Sequence, residues 1–466
     1  MATRDFAGAT VRKVTWRIIP FVFLLYIVNY MDRANIGYAA LQMNSALGLS
    51  SQVFGLAAGL FFIGYFLFEV PSNVAMLRFG ARIWIARILL TWGALAVLLG
   101  FVQNSWQLLT VRFLLGVAEA GFFPGIILYL GRWFRSKELA STIGLFTASI
   151  PVSYIIASPL STTVMAHVGW FGMDGWRWMF VLEGIPAIIL GVLCYFYLCE
   201  GPADAHWLSD TERNWLVSEL EQEAKARPDS LHLSIWKTLR NPKVLYLGAI
   251  YFIYQVGSLG IGYWLPQILK SMSENLTTTQ IGIIGALPYV AAAVAMVLWS
   301  RHSDKKIERK LHCWLPLFIS AVAMAVSGLT HNPVPAVIAI SIALAGLYAF
   351  KAPFWAVPSL FLTSGTAATA VAAINSIGNL GGFAGPYGLG LVKSMTGSTT
   401  TGLFLLAALV LVAATMMAVV RLTHDRRARH GHDESTGQPS STSGMARTAA
   451  TGTPGNGPES SLPASS

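Results

Sequence analysis

Apolar residues run along this chain in long blocks, interrupted at short intervals by glycine, proline and clusters of charge. Blocks of roughly 20 residues match the helix length that crosses about 30 Å of hydrocarbon. Twelve can be placed, near residues 18–38, 53–76, 84–102, 107–130, 140–165, 177–199, 244–268, 280–300, 312–330, 335–360, 367–392 and 401–421. A polar interval separates six blocks from six. Within it Ser209 and Glu212 stand at capping-box spacing, which predicts a short surface helix. From about 424 the chain is rich in Ser, Thr, Gly and Pro and poor in apolar residues, so a disordered tail is expected. The pattern predicts an all-α membrane protein with twelve transmembrane helices in two six-helix halves. Its expected parts are an N-terminus (1–17), a first half (18–199), a central loop (200–242), a second half (243–422) and a tail (423–466).

Composition strengthens this picture. The 466 residues are 54% hydrophobic and 12% charged, where a soluble domain carries about 25% charged residues. The first apolar block leads into an Asp-Arg pair instead of a small-residue cleavage site, so no cleavable leader is expected. A net charge of +10 would suggest nucleic acid as partner for a soluble protein, but here the basic residues follow the loops. Arg4, Arg12, Lys13 and Arg17, then Arg78 and Arg82, then Arg132, Arg135 and Lys137, then the stretches 301–310 and 421–429 fall on one set of connections. The alternate set holds Arg177, Lys270 and Lys393. By the positive-inside rule both termini are cytoplasmic, in a multi-pass protein of the plasma (cell inner) membrane, with the bilayer and no nucleic acid as partner. Cys194, Cys199 and Cys313 match no metal spacing and read as buried thiols. No metal, cofactor or catalytic residue is expected: no nucleophile elbow, ligand set or phosphate loop stands out.

Several charges fall inside apolar blocks, where each costs roughly 2.5–3.5 kcal/mol on the lenient insertion scale and faces the bundle interior or a water-filled cavity. Asp32 and Arg33 are neighbours, about 100° apart on a helix, and are expected to reach one cavity from adjacent sides. A guanidinium suits a carboxylate ligand, and a carboxylic acid in a partly dry site can load and release protons. Arg112 and Glu119 are seven apart and point the same way; they could serve a ligand or form a structural ion pair. Glu69 reads as a cap or pair near a gate, Glu183 as a structural partner of Arg177 or of a neighbouring helix. Lys351 could snorkel to the surface or hold a second ligand carboxylate. Asn375 and Asn379, four apart on one face, could bond ligand hydroxyls, while the glycines around them suit close packing. Tyr65, Gln255 and Tyr263 are either cavity liners or packing residues.

The halves also echo each other. A basic hairpin, "NVAMLRFGAR" (73–82), follows the second block, and "SRHSDKKIERK" (300–310) follows the eighth. The second copy keeps Asp304 where the first has Leu77. This suggests an internal duplication with the ligand site between the halves. The arrangement resembles the major facilitator superfamily. "NYMDRANIGYAAL", "GYFLFEVPSN", "RFGARIWIARI", "RFLLGVAEAGFFPG", "GWRWMFVLEGIPA" and "INSIGNLGGFAGP" together look like its anion:cation symporter family, whose members take up tartrate, hexonates, phthalate or hydroxyphenylacetate with protons. The resemblance covers about residues 15–422. It implies a substrate anion held by Arg33 and Arg112 and protons carried by Asp32 and Glu119; Tyr65, Lys351, Asn375 and Asn379 stand beside them as ligand candidates from the residues alone. The hairpin residues Arg78, Arg82 and Asp304 would gate; Leu77 departs from the superfamily's usual acid at that place. "IGLFTASIPVSYIIASPL" lacks the proline-glycine motif of drug antiporters in the fifth segment.

The expectation is therefore a transporter and not an enzyme: alternating-access import of a small organic anion with protons, by a chain for which a monomer suffices. A proton-independent organic-anion facilitator or exchanger remains as the alternative. An aliphatic hydroxy acid, a sugar acid and an aromatic acid all stay open as substrate.

Overall fold

A computed structural model describes residues 2–226, 238, 240–273, 275–306, 308–330, 332–358 and 364–420. Among them the chain is helical, with no strand. The first half comprises α1 (Ala2–Ala46), α2 (Ser51–Phe79), α3 (Ala81–Leu99), α4 (Ser105–Glu119), α5 (Phe122–Leu130), α6 (Ser136–Thr147), α7 (Ser149–His167) and α8 (Gly175–Tyr197). The short α9 (Asp210–Ala226) follows. The second half comprises α10 (Pro242–Met272), α11 (Thr278–Lys306), α12 (Lys310–Leu329), α13 (Pro333–Ala356), α14 (Ser364–Asn379), α15 (Gly381–Thr396) and α16 (Thr399–Val419). Eleven runs are long and apolar enough to cross a membrane, with α4–α5 and α6–α7 each counted as one. The broken run α14–α15 occupies the twelfth place. The tail expected from about 424 lies outside the described residues, as does most of 227–239.

Local chemistry sets many of the helix starts. Ser50 accepts from Val53 N–H at 3.2 Å and Asn104 from Gln107 N–H at 2.9 Å. The pairs Asn241-Pro242 and Asn332-Pro333 use one device in the second half: the Asn side chain accepts an orphan N–H while proline fills the first helical position. Ser209 and Glu212 close the capping box of α9, Ser209 N–H to Glu212 at 2.9 Å and Glu212 N–H to Ser209 at 3.3 Å.

Two features differ from the sequence pattern. Helix α1 starts at Ala2, well before the apolar block, because its polar first turns have a partner: Lys13 bonds Glu212 at 2.7 Å and Phe6 meets Trp215 edge-on, so the helix docks on α9. Three blocks read as single helices are broken, at Ala120–Gly121, Ala148 and Leu380. At the first break Gly121 adopts φ +84°, a left-handed conformation that favours glycine, and a Cβ there would meet the Ser72 hydroxyl at 2.5 Å.

The halves meet most closely at the end of the bundle where α1 turns into α2. Gly55 and Gly59 on α2 lie against the carbonyls of Pro386 and Phe383 on α15, and Gly37 on α1 against that of Tyr263 on α10. Built-on Cβ atoms would stand 2.5, 2.9 and 2.8 Å from those oxygens, so only glycine permits this backbone-on-backbone seam. Ser158 donates across it to Gly282 O at 2.6 Å, and Gln52 to Tyr387 at 3.3 Å. A bulky residue should force the seam apart. In Gly55→Trp, labelling of a cysteine placed at Gln52, with the three native cysteines replaced by serine, should quicken about tenfold or more, the response to a shift of about 1.4 kcal/mol in the closed–open balance. An unchanged rate would mean that the seam does not close this end.

Candidate functional site

Between the halves lies a cavity of about 80 Å³, room for several waters. Its wall is tyrosine-rich and two-sided: Tyr26, Tyr30, Tyr65 and Tyr154 come from the first half, Tyr251, Tyr254, Tyr289 and Tyr348 from the second. Tyr154 and Tyr289 stack across the divide with ring centroids 4.3 Å apart. Two cations reach the wall from opposite halves, Arg33 on α1 and Lys351 on α13, together with Gln255 on α10 and Asn375 and Asn379 on α14.

The 100° step between neighbours on a helix explains what happens to the Asp-Arg pair. Arg33 turns to the cavity, whereas Asp32 is only 2% exposed and points into the first half. The expectation that both reach one cavity is corrected on this ground. Arg33 donates from Nε to Glu119 Oε1 at 2.6 Å, and its Nη2 closes on the same oxygen as an ion pair. The guanidinium also lies about 5 Å from the ring centres of Tyr30, Phe61 and Tyr65, in cation–π range. Glu119 is the last residue of α4, just before the Gly121 break, and is 1% exposed. Its Oε2 has no hydrogen-bond partner among the described residues.

Arg112, two turns earlier on α4, does not line the cavity. It is fully buried, donates from Nε to Ala57 O on α2 at 3.2 Å, and sits over the Phe61 ring. Tyr263 faces it, yet Nη1 and Nη2 close no hydrogen bond among the described residues. The close crossing of α2 and α4 through Gly64 and Gly116 holds it there. Tyr263 is likewise buried behind the wall, while Tyr65, Gln255, Lys351, Asn375 and Asn379 face the cavity. Lys351 has no ion-pair partner among the described residues.

Glu69 makes a contact between the halves. Asn375 Nδ2 and Ser376 Oγ on α14 approach its two oxygens at 3.5 and 3.4 Å. Glu183 does not pair with Arg177, which donates instead to the carbonyls of Gly100 and Val102 at 3.0 and 2.7 Å. Glu183 accepts from Ser161 at 2.6 Å.

The expected gating residues stay within their own halves: Arg78 packs over Phe79, Arg82 over Tyr195, and Asp304 pairs with Arg309 at 2.7 Å. Sequence reading missed Glu200. Its carboxylate, just past the end of α8, accepts the N–H groups of Ala81 and Arg82 at 2.8 and 3.0 Å and pairs with Arg132 at 3.2 Å. It lies against Gly80, whose φ of +89° turns α2 into α3. An acid on the first turn of a helix satisfies orphan N–H groups and meets the positive end of the dipole. Glu308 does the same in the second half, accepting from Leu311 and His312 N–H at 2.6 and 3.2 Å. Both hairpins thus carry a capping acid. In the first it comes from some 120 positions away, where no local pattern could show it. The three cysteines are unpaired, and no group of three or more His, Cys, Asp or Glu among the described residues is placed to hold a metal ion.

Comparison with known proteins agrees with this architecture. Residues 22–386 match the family model described as Major Facilitator Superfamily. A protein of Agrobacterium vitis named "Putative tartrate transporter" is 46% identical over 419 residues, covering 90% of this chain and 96% of its own. A "Quinolone resistance transporter" of Acinetobacter baumannii is 36% identical over 423 residues, covering 91% and 97%. Among solved structures, a bacterial homolog of the human lysosomal transporter Spinster, in its inward-facing and occupied conformation, superposes with a TM-score of 0.70 at 19% identity, covering 86% of this chain and 95% of that one. Such a likeness carries the fold alone. With a family model spanning most of the chain, and relatives covered almost end to end that are transporters and not enzymes, this multi-pass membrane protein belongs to the major facilitator superfamily.

Proposed function

We propose that this chain carries a small organic carboxylate into the cell together with protons, by alternating access between its two halves, from the inner membrane with both termini cytoplasmic. The observation that carries this reading is the bond between Arg33 and Glu119. Arg33 is the guanidinium of the cavity wall, and its ligand is a buried carboxylate of the protein itself. A substrate carboxylate needs that same fork. Protonating Glu119 removes its charge and frees Arg33 for the substrate; deprotonation reclaims Arg33 and expels it. Substrate and proton are thereby bound together or not at all.

The energetics favour such a coupling. Bringing a monoanion into an interior-negative cell costs about 2.3 kcal/mol per 100 mV. One proton cancels that term, and each unit of inward pH gradient adds about 1.36 kcal/mol per proton. The placement of Lys351 opposite Arg33 suits a second carboxylate, and Asn375, Asn379 and the tyrosine hydroxyls suit a hydroxylated backbone. The relative named for tartrate supports a dicarboxylic hydroxy acid as the substrate class. The aromatic wall and the relative named for quinolone resistance support an aromatic acid as the second reading.

Proteoliposomes with the inside held alkaline should accumulate one class from a panel of hydroxy diacids, sugar acids and aromatic acids, and a protonophore should abolish the accumulation. Uptake that only equilibrates, indifferent to the protonophore, would instead identify a facilitator or exchanger. Glu119→Gln should lose pH-driven accumulation while retaining exchange of labelled for unlabelled substrate; full accumulation by this variant would remove Glu119 from the coupling. In Lys351→Gln, loss of one charged hydrogen bond, about 1.5–3 kcal/mol, should weaken a diacid about 10- to 100-fold and leave its monoacid analogue little changed. Equal losses for both would count against a second carboxylate at Lys351.

A further inference from the structure

Asp32 has its side chain on the far side of α1 from the cavity, in a polar cluster that the scheme above leaves unexplained. Asn35, one turn along α1, donates from Nδ2 to Asp32 Oδ1 at 3.3 Å. The same amide faces Glu183 on α8, which holds the Ser161 hydroxyl of α7 at 2.6 Å. Asp32, Asn35 and Glu183 are each 3% exposed or less. Asp32 Oδ2, Asn35 Oδ1 and Glu183 Oε2 have no hydrogen-bond partner among the described residues, and neither carboxyl is in an ion pair there.

Two carboxylates facing one amide, out of water and without a cation in contact, cannot both stay charged. An isolated buried carboxylate is prohibitively costly, and a second nearby adds repulsion. The other groups facing the cluster do not change this. The Trp92 indole of α3 and the Tyr38 hydroxyl of α1 are neutral; on α4, Glu119 adds negative charge and is held by Arg33, while Arg112 donates to Ala57 O and makes no ion pair with Asp32 or Glu183 among the described residues. With Asn35 donating to Asp32, a proton on Glu183 can be given to the open Asn35 Oδ1, and with the amide turned over the two acids exchange roles, so a single proton serves the network.

We propose that Asp32 and Glu183 form a proton-sharing dyad, bridged by Asn35, that holds one proton inside the first half and outside the substrate cavity. Glu183, which the cavity chemistry does not use, is then half of a proton site. A part for that proton in transport rests on the coupled import proposed above; the existence of the dyad does not.

The test is infrared titration of the solubilised full-length protein, following the C=O stretch of protonated carboxyls from pH 5 to 10 with no substrate or gradient. The component removed by Asp32→Asn identifies the dyad. In Glu183→Gln, Asp32 loses a like-charged neighbour, so its band should bleach about one pH unit or more lower than in the parent. Should Glu183→Gln fail to fold, Asp32→Asn serves in its place: the band of Glu183, identified by its frequency shift when Ser161→Ala removes its hydrogen bond, should bleach lower by a similar amount. An unchanged midpoint, or the absence of any band sensitive to either substitution, overturns the proposal. Transport assays that find no proton coupling would refute the proposed function and leave this result standing.

Discussion

A guanidinium in a low-dielectric site needs an anion against it, and much of this molecule is arranged around which anion Arg33 has. In the structure the anion is Glu119. Removing one partner of a buried pair costs about 3–5 kcal/mol, because the survivor is an uncompensated charge. That penalty gives an alternating-access cycle its discipline: under the proposed scheme, a state with neither carboxylate on Arg33 is too high in energy to populate. The aromatic rings about 5 Å away soften the cost without replacing the anion. The break at Gly121 ends α4 directly after Glu119, so the acid sits at a joint and not in mid-helix.

The halves are joined differently at the two ends of the cavity. Where α1 turns into α2, glycines bring backbone against backbone, and the side-chain bonds across that seam, from Ser158 and Gln52, involve no carboxylate. Toward the end where α2 turns into α3, the joining contacts come from Glu69, with Asn375 and Ser376 at the long end of hydrogen-bond range. One closure is close-packed backbone with two neutral hydrogen bonds, and the other depends on a carboxylate. The cavity between them draws four tyrosines and one cation from each half, so a solute held there touches both halves at once.

Much of the fold was legible because lipid imposes a coarse rule: long apolar blocks, counted and paired, gave the spans and the division into six and six. The helix breaks were not, since a largely apolar block of 24 or 26 residues reads alike whether or not it bends at Gly121 or Leu380. At the site, residue type revealed the ionisable groups, but sequence reports only relative azimuth along one helix. It set Asp32 100° from Arg33 without saying which would face the cavity. Arg112 shows the same limit: its charge announced a role, while its burial against Ala57 depends on how α2 and α4 cross. Glu200 was invisible because its partners lie at residues 81, 82 and 132, and tertiary proximity of that kind leaves no periodic trace.

Glu200 also has a mechanical consequence. One carboxylate ties the first turn of α3, the connection after α5 and the chain just past α8, adding a polar tie to helices already packed side by side. A tie of this kind adds its constraint at the rim of the half, where the ends of three elements meet, and not at the ion pair in its middle, so the loops there are held in register while the cavity side is left to move.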